Sequence, residues 1–482
     1  MKGLSFSLVE SAFLKEDAGQ YYLYCMVPLR VLRLNKSLFN LLQYIDNDGD
    51  LSDYLKRTPG IDVSKVTRSL LYLVSRGYLE LESPAEIEER PTVSIIIPVK
   101  DQPDDIVKCI RALKDLDYPR NKYEVIVVDD GSENDVRDMF NPREVRVIRQ
   151  GRSLGPAASR NNGAAQARGK LFAFLDADCV AGENWLTELI PFFQADGVGA
   201  VGGYVEGYYQ GKSLDRYEAV SSSLNMGKRL LLEGNSDSAF YVPTANMLVT
   251  REAFVKTGGF NKALFIGEDV DFCWRLRKSG YNLVYAPYGA IAHKHRNDLG
   301  PMLKRRFDYG TSEAFLYKKH PEKKKTFLVS LLAALSLLAL VLAIVLLSPW
   351  PLLGIPVFFG IDLVRRSNLL DKLDMTYPLR ELGLSTFRNY LSFYYFSFFH
   401  LVRYYLILFI GFGFLWHPLW ILGALMLVYA SATDYLVKKP HLGFHLFFFF
   451  YLAEHLFYQA GVFRGCLKQR YFRSYLLKFR RP

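Results

Sequence analysis

The sequence predicts an α/β protein, with a doubly wound sheet in the middle of the chain, a small winged-helix module before it and an apolar helical region after it. Three observations predict this. Apolar, β-branched runs at Val93–Val99, 124–128, 145–148, Leu171–Leu175 and Val198–Gly202 alternate with helix-forming stretches, the pattern of buried parallel strands joined by helices. Residues 1–90 carry two segments whose apolar residues keep to one helical face. From Thr326 to Ile361 no residue is charged.

The chain of 482 residues suits two to four domains at ~100–200 residues each. The boundaries predicted are 1–90, 91–321 and 322–482. A net charge of +11 invites nucleic acid, a membrane surface or an anionic substrate. The surplus Lys and Arg sit beside apolar runs, at Lys323-Lys324-Lys325, Arg365-Arg366, Lys438-Lys439 and in the tail 464–481. That placement favours a membrane and argues against nucleic acid. The five cysteines, Cys25, Cys109, Cys179, Cys273 and Cys466, are odd in number, scattered and never spaced as CxxC. A disulfide framework or zinc cluster is therefore not expected. The first ten residues hold one lysine and no long apolar core, so no secretory signal peptide is expected.

In the first region, 21–25 and Leu29–Leu34 read as strands, 38–45 and 63–74 as amphipathic helices, and 78–81, after Gly77, as a wing. The acidic, Pro-flanked stretch 82–91 suits a linker. In the last region, 327–348 is long enough to cross a ~30 Å hydrocarbon layer, and Pro349-Trp350-Pro351 ends it. The stretch 352–361 reads as a return limb or re-entrant segment. Stretches 391–416, 419–429 and 442–463 are aromatic, interrupted by His400, Arg403 and Glu454, and read as spanning or interfacial helices. Lysines 323–325 and the basic tail place the central domain in the cytoplasm, with an even number of crossings.

In a doubly wound sheet ligands sit beyond the carboxyl ends of the strands. Three polar groups land there: Pro98-Val99-Lys100-Asp101, Asp129-Asp130-Gly131-Ser132 and Asp176-Ala177-Asp178. Asp176 and Asp178, with the small Ala177 between them, present two carboxylates to one divalent ion such as Mg²⁺ or Mn²⁺. An acidic strand-end turn is the alternative. Glu268, Asp269 and Asp271 precede an amphipathic helix, where a carboxylate acts either as a general base or as N-terminal capping. Asp129 and Asp130 are placed to accept a hydrogen bond from a uracil N–H, or to form a turn. His293 and His295 follow the apolar stretch 285–291, and one of them is a candidate to complete a metal shell.

These motifs occur together as Val93-Ser-Ile-Ile-Ile-Pro98, Val127-Val-Asp-Asp-Gly-Ser132, Arg160-Asn161-x-Gly163, Phe174-Leu-Asp-Ala-Asp178, Thr244-Ala-Asn246, Gly258-Gly-Phe260, Gly267-Glu-Asp269 and Trp274-Arg275. As a set they resemble the inverting family 2 glycosyltransferases. The resemblance implies a GT-A (nucleotide-diphospho-sugar transferase) fold over roughly 92–310, a UDP-sugar donor and a single in-line displacement. It implies metal ligation by Asp178, supported by Asp176 and His293, and catalysis by Asp269 with Glu268. It assigns the nucleotide-sugar to Pro98, Asp101, Asp130, Arg160 and Asp176, and the acceptor to Asn246, Trp274 and Tyr309. Lys304-Arg-Arg-Phe-Asp-Tyr-Gly310 resembles a later family segment in which glutamine is common. Arg305 and Arg306 stand there instead, and their charge suits a diphosphate.

Residues 1–90 resemble the small PqqD-related domains that bind leader peptides. Such a module binds an extended peptide by strand addition, and 21–25 or the wing is the edge expected to do so. The three parts together resemble the mycofactocin glycosyltransferase group. That implies glucose chains built on a peptide-derived redox cofactor, mycofactocin or its precursor. The alternatives are a processive polysaccharide synthase and a non-catalytic peptide-binding membrane scaffold.

Overall fold

The computed structural model describes residues 5–26, 29–47, 49–58, 60–83, 90–372 and 378–480. Contacts divide the chain into two compact units. The first comprises Met1–Cys25, Val31–Gln210 and Ser221–His295, and the second Met26–Arg30, Gly211–Val220 and Arg296–Pro482. This differs from boundaries at 90 and 321. The N-terminal module and the α/β sheet share one apolar cluster, with Leu23, Leu42, Leu70 and Leu71 in the same core as Ile95, Ile97 and Leu175. The Tyr288 hydroxyl donates to the Leu81 carbonyl at 3.1 Å. Helix Leu299–Lys319, expected in the α/β domain, belongs to the second unit.

The first unit is built on an eight-stranded sheet ordered Leu231–Glu233, Asn282–Tyr285, Val198–Gly202, Asn246–Thr250, Leu171–Leu175, Val93–Val99, Tyr123–Asp129 and Val145–Arg149. Val93–Val99 is buried at every residue except Pro98, as a strand covered on both faces must be. It pairs in parallel with Tyr123–Asp129 and Leu171–Leu175. The sheet is mixed rather than uniformly parallel, because Asn246–Thr250 enters antiparallel between Leu171–Leu175 and Val198–Gly202. Helix Pro156–Gln166 lies close on the sheet through Gly163, where a Cβ would come within 2.5 Å of the Ile96 side chain.

A second, three-stranded sheet has Ile291–His293 between Cys179–Ala181 and Val205–Gly207. Its register sets Cys179 opposite His293. In the N-terminal module, helices Lys36–Asp46, Leu51–Arg57 and Val63–Ser75 follow strands Ala12–Asp17, Gln20–Met26 and Leu29–Leu34. Asp50 and Asp62 cap two of the helices, each accepting from backbone N–H groups of the first turn. The wing Leu79–Ser83 pairs with Ser5–Leu8. The strand Gln20–Met26 lies between the other two, so its ladder is used on both sides and 21–25 is not the expected edge. Most of the linker 82–91 lies outside the described residues.

The second unit holds helices Leu299–Lys319, Leu331–Val345, Gly354–Asp371, Leu379–Gly413, Pro418–Lys438 and Phe444–Gln469. The expected span 327–348 is not one helix. Lys325–Leu328 is a strand paired in parallel with Leu477–Arg480, and the helix Leu331–Val345 has 15 residues. At 1.5 Å per residue that is about 22 Å, short of a ~30 Å hydrocarbon layer. Among the described residues, three other helices are long and apolar enough to cross: Leu379–Gly413, Pro418–Lys438 and Phe444–Gln469. Phe444–Gln469 runs alongside Leu299–Lys319, made possible by Gly461 and Gly465, where a Cβ would strike the carbonyl oxygens of Phe307 and Thr311.

Candidate active site

The rim carboxylates are sorted into two groups. Asp178, half-buried after strand Leu171–Leu175, lies with its Oδ1 3.6 Å from His293 Nε2. The strand pairing of Cys179 with His293 makes this contact. Donor atoms of Asp178, Cys179 and His293 all fall within 4.8 Å of one another. Between the two sequence candidates, the register selects His293. His295 is buried and stacks edge-on to Tyr209. Cys179, which the sequence reading passed over, has its thiol pushed well above its ordinary range by burial and by the Asp178 and Asp176 charges. It stands in this environment as a thiol, a weaker metal donor than a thiolate.

Asp176 has a different partner. Arg160, buried on helix Pro156–Gln166, donates to Asp176 Oδ1 at 2.5 Å and to Glu268 Oε1 at 2.9 Å. Burial opposes the Arg160 charge, but Asp176 and Glu268 outweigh it and raise its pKa. Glu268 and Asp269 open helix Glu268–Lys278, which Gly267 begins at a φ of +80°, a conformation suited to glycine. The Val270 N–H donates to Asp269 Oδ1 at 2.8 Å. Burial, then the adjacent Glu268 carboxylate, push the Asp269 carboxyl up to about 7, a value at which a carboxylate serves as a base near neutral pH.

Several other predicted residues have different work. Asp130 is buried, and its carboxylate accepts from Gln150 Nε2, Ser153 Oγ, Leu154 N and Gly155 N at 2.8–3.1 Å. Four donors match the capacity of a carboxylate. Where the sequence pointed to a uracil N–H, the structure gives Asp130 the loop 150–155 to hold. Asp129 is likewise engaged, by Arg149 at 3.1 Å and the Ser132 N–H at 2.8 Å. Asn246 is buried with Oδ1 accepting from Trp185 Nε1 and Nδ2 donating to the Tyr204 and Gly289 carbonyls. It ties the sheet to its neighbours rather than facing an acceptor. Trp274 is also buried, with Nε1 donating to the Ala239 carbonyl at 3.2 Å. Asp271, the third acid of the motif, pairs with Arg275 at 2.8 Å.

Pro98 and Asp101 stay at the rim. Asp101 has a left-handed φ of +52°, held by its N–H donating to Ser132 Oγ and its Oδ1 accepting from the Glu133 N–H. The first two strand ends are thereby locked together. In the second unit, Arg305 stacks over Tyr309 at 4.8 Å. Arg306 is buried against Glu218 and Glu454 at 2.5 and 3.3 Å. Its charge is met by two carboxylates of its own unit, in place of the diphosphate that the sequence suggested.

Residues 94–257 match the profile of Glycosyl transferase family 2. A pre-mycofactocin glycosyltransferase of Mycobacterium tuberculosis is 34% identical over 242 residues, which is 49% of this chain and 50% of that protein. Glycosyltransferase AglE of Haloferax volcanii is 30% identical over 230 residues, 46% of this chain and 73% of that protein. The chain thus spans about half the length of the first of these relatives. A mannosyltransferase of Pyrobaculum calidifontis, solved with GDP-Man and Mn²⁺, superimposes with a TM-score of 0.40 at 18% identity, covering 64% of this chain and 90% of that one. With a matching profile, a related glycosyltransferase covered over most of its length, and the family's motif acids gathered at the ends of a mixed α/β sheet, the chain belongs to glycosyl transferase family 2.

Proposed function

We propose that this enzyme moves a hexose, glucose first among the candidates, from a UDP-sugar to a peptide-derived acceptor, inverting the anomeric centre, and that the acceptor is mycofactocin or its precursor. The observation that carries the reading is the rim cluster itself. Asp176, Glu268 and Asp269 surround Arg160, and Asp178 meets His293, in a chain 34% identical to a pre-mycofactocin glycosyltransferase over 242 residues.

The donor atoms fit a divalent ion. Asp178 offers oxygen and His293 nitrogen within 4.8 Å, a set compatible with Mn²⁺ or Mg²⁺. Bound there, such an ion supplies charge neutralisation of the departing diphosphate. The chain's own residues do the rest. Asp176 is fixed by Arg160 at the same strand end. Asp269 takes the proton of the acceptor hydroxyl as its oxygen forms the new bond to the anomeric carbon. The electron pair of the breaking bond leaves with the diphosphate. Arg160 and Glu268 set how readily Asp269 gives up its own proton. Pro98 and Asp101 are the nucleotide contacts in this reading.

The N-terminal module is proposed as a PqqD-like peptide binder. Its three-stranded sheet ends, among the described residues, at Ala12–Asp17, where the half-exposed Phe13 stacks on Tyr24 at 5.1 Å. A peptide strand would add there.

The catalytic unit is proposed to lie on the cytoplasmic face. Lys325–Leu328 and Leu477–Arg480 pair along their length, so the chain leaves and re-enters the helical region on one side of a membrane. That requires an even number of crossings, and the three span-length helices among the described residues are one too many. Leu379–Gly413 and Pro418–Lys438 pack together as a hairpin. Phe444–Gln469 is the helix spared from crossing in this reading, because it follows the charged helix Leu299–Lys319.

The test is incubation of the purified chain with Mn²⁺ or Mg²⁺, a panel of UDP- and GDP-sugars and a peptide-derived acceptor, read by mass spectrometry. A hexose added to the acceptor from a UDP-sugar is expected. Polymer without acceptor, or strict preference for a GDP-sugar, would overturn the reading.

A further inference from the structure

The second unit contains a cavity of about 1570 Å³, larger than the ~300–1,000 Å³ typical of small-molecule pockets. It is set between the helices Leu331–Val345, Gly354–Asp371 and Leu379–Gly413 and the paired strands. One part of its lining is apolar, including Leu331, Ala334, Val364, Leu369, Phe393 and Leu401. Leu331, Val364 and Leu369 are more than half exposed, so the apolar wall continues to the outer surface. The rest of the lining is polar, with Ser330, Asn368, Ser397 and His400, and its charged part is mainly basic: among the described residues Arg365, Arg366, Lys372 and Arg480 meet a single carboxylate, Asp362. Asp362 is paired with Arg366 at 3.2 Å, which leaves the cavity with a cationic excess.

The local topology explains the combination. Helices Leu331–Val345 and Gly354–Asp371 form a hairpin whose turn exposes Leu346, Leu347, Trp350 and Leu353. An uncharged tip of this kind is suited to dip into hydrocarbon without crossing it. The base of the hairpin, which carries Arg365, Lys372 and the neighbouring Arg480, then sits at headgroup depth beside the paired strands. Basic side chains at that depth attract anionic lipids.

We propose that this cavity binds an anionic glycerophospholipid, with its phosphate on Arg365, Lys372 and Arg480 and its acyl chains along Ala334, Val364 and Phe393. An apolar wall continuous with the outer surface favours a lipid over a free phosphate, and the cationic excess favours an anionic lipid over a zwitterionic one.

The experiment supplies phosphatidylglycerol, phosphatidylcholine, polyprenyl phosphate or inorganic phosphate to the full-length chain in detergent. Retained ligand is then read by native mass spectrometry. Phosphatidylglycerol is expected to be retained over phosphatidylcholine by on the order of tenfold or more. The double substitution Arg365→Glu with Lys372→Glu is expected to abolish that preference. Ala334→Trp keeps every charge but fills the apolar part, and is expected to lose the lipid as well. Sugar transfer by both variants reports that they are folded. Equal retention of the two phospholipids, or unchanged phosphatidylglycerol in both variants, would overturn the proposal. So would displacement of the lipid by inorganic phosphate, or a preference for polyprenyl phosphate.

Discussion

Each unit buries a knot of opposite charges, and the two knots differ in balance. In the second unit Arg306 and Arg403 face Glu218 and Glu454, at 2.5–3.3 Å, with the Tyr217 hydroxyl donating to Glu454. Two cations meet two carboxylates, of which burial pushes Glu218 up to about 7. In the first unit Asp176, Asp178, Glu268 and Asp269 are served by Arg160 and by His293, which is cationic only when protonated. Negative charge is in surplus there. A desolvated carboxylate is stabilised by a cation, and the proposed divalent ion would answer this acidic balance. The balanced knot suits a structural role, and the proposed function gives the acidic one a ligand.

The comparison breaks most severely at its most consequential residues. Asp178→Ala removes the proposed metal donor, and several kcal/mol of leaving-group stabilisation correspond to a loss of transfer on the order of 10³-fold. Asp269→Asn removes the proposed base and is expected to cost about 10²–10⁴-fold. Both substitutions relieve the negative surplus, so thermal unfolding is expected to stay where it is or move upward. A variant that keeps its turnover, or one that unfolds, contradicts the role given to that residue.

Arg306→Met tests the balanced knot. It strands Glu218 and leaves Glu454 with Arg403 as its remaining cation, and breaking a buried pair from one side costs about 3–5 kcal/mol. Unfolding of the solubilised protein is expected to shift down accordingly, while the KM for the donor in the remaining folded enzyme is unchanged. A raised donor KM with unaltered stability would return Arg306 to the diphosphate.

A divalent cation should distinguish the two knots directly. Mn²⁺ at about 100 times its dissociation constant is expected to stabilise the wild-type chain by ~2.7 kcal/mol. Asp178→Ala is expected to lose that gain and Arg306→Met to keep it. Equal stabilisation of all three proteins would detach the ion from Asp178.

What the sequence revealed follows the same division. The strand-end rule found Asp176 and Asp178 because an apolar run followed by two acids is a local signal. Choosing His293 over His295 needed the pairing of residue 179 with 293, a long-range register that spacing does not carry. Asn246 and Trp274 lie in motifs that point to acceptor contacts, and motif membership does not distinguish a rim residue from one buried with its polar atoms satisfied. The stretch 327–348 looked like one span because hydropathy is blind to Phe327 pairing with Phe479 in a strand. Helix periods in the N-terminal module were legible, since Val63–Ser75 buries Thr67, Leu70, Leu71 and Leu73 on one face. Arg306 is a case where charge alone misleads: two partners distant in sequence, Glu218 and Glu454, determine what it does.

The smallest effect expected is also the most specific to the surplus. Burial and Glu268 hold the Asp269 carboxyl at about 7, and the base works only when ionised. The acid limb of kcat/KM is therefore expected to rise with pH to a plateau above about 7, falling roughly tenfold per unit below it. Glu268→Gln should move that limb to lower pH for two reasons of the same sign. It removes a like charge beside Asp269, and it frees Arg160 from one of its two carboxylates, so more of the guanidinium's attraction falls on Asp269. A maximal rate reduced by lost positioning does not mask the shift, because the position of the limb is independent of its height. An acid limb that stays in place would mean that the titrating base is not coupled to Glu268, and the role assigned to Asp269 would fall with it.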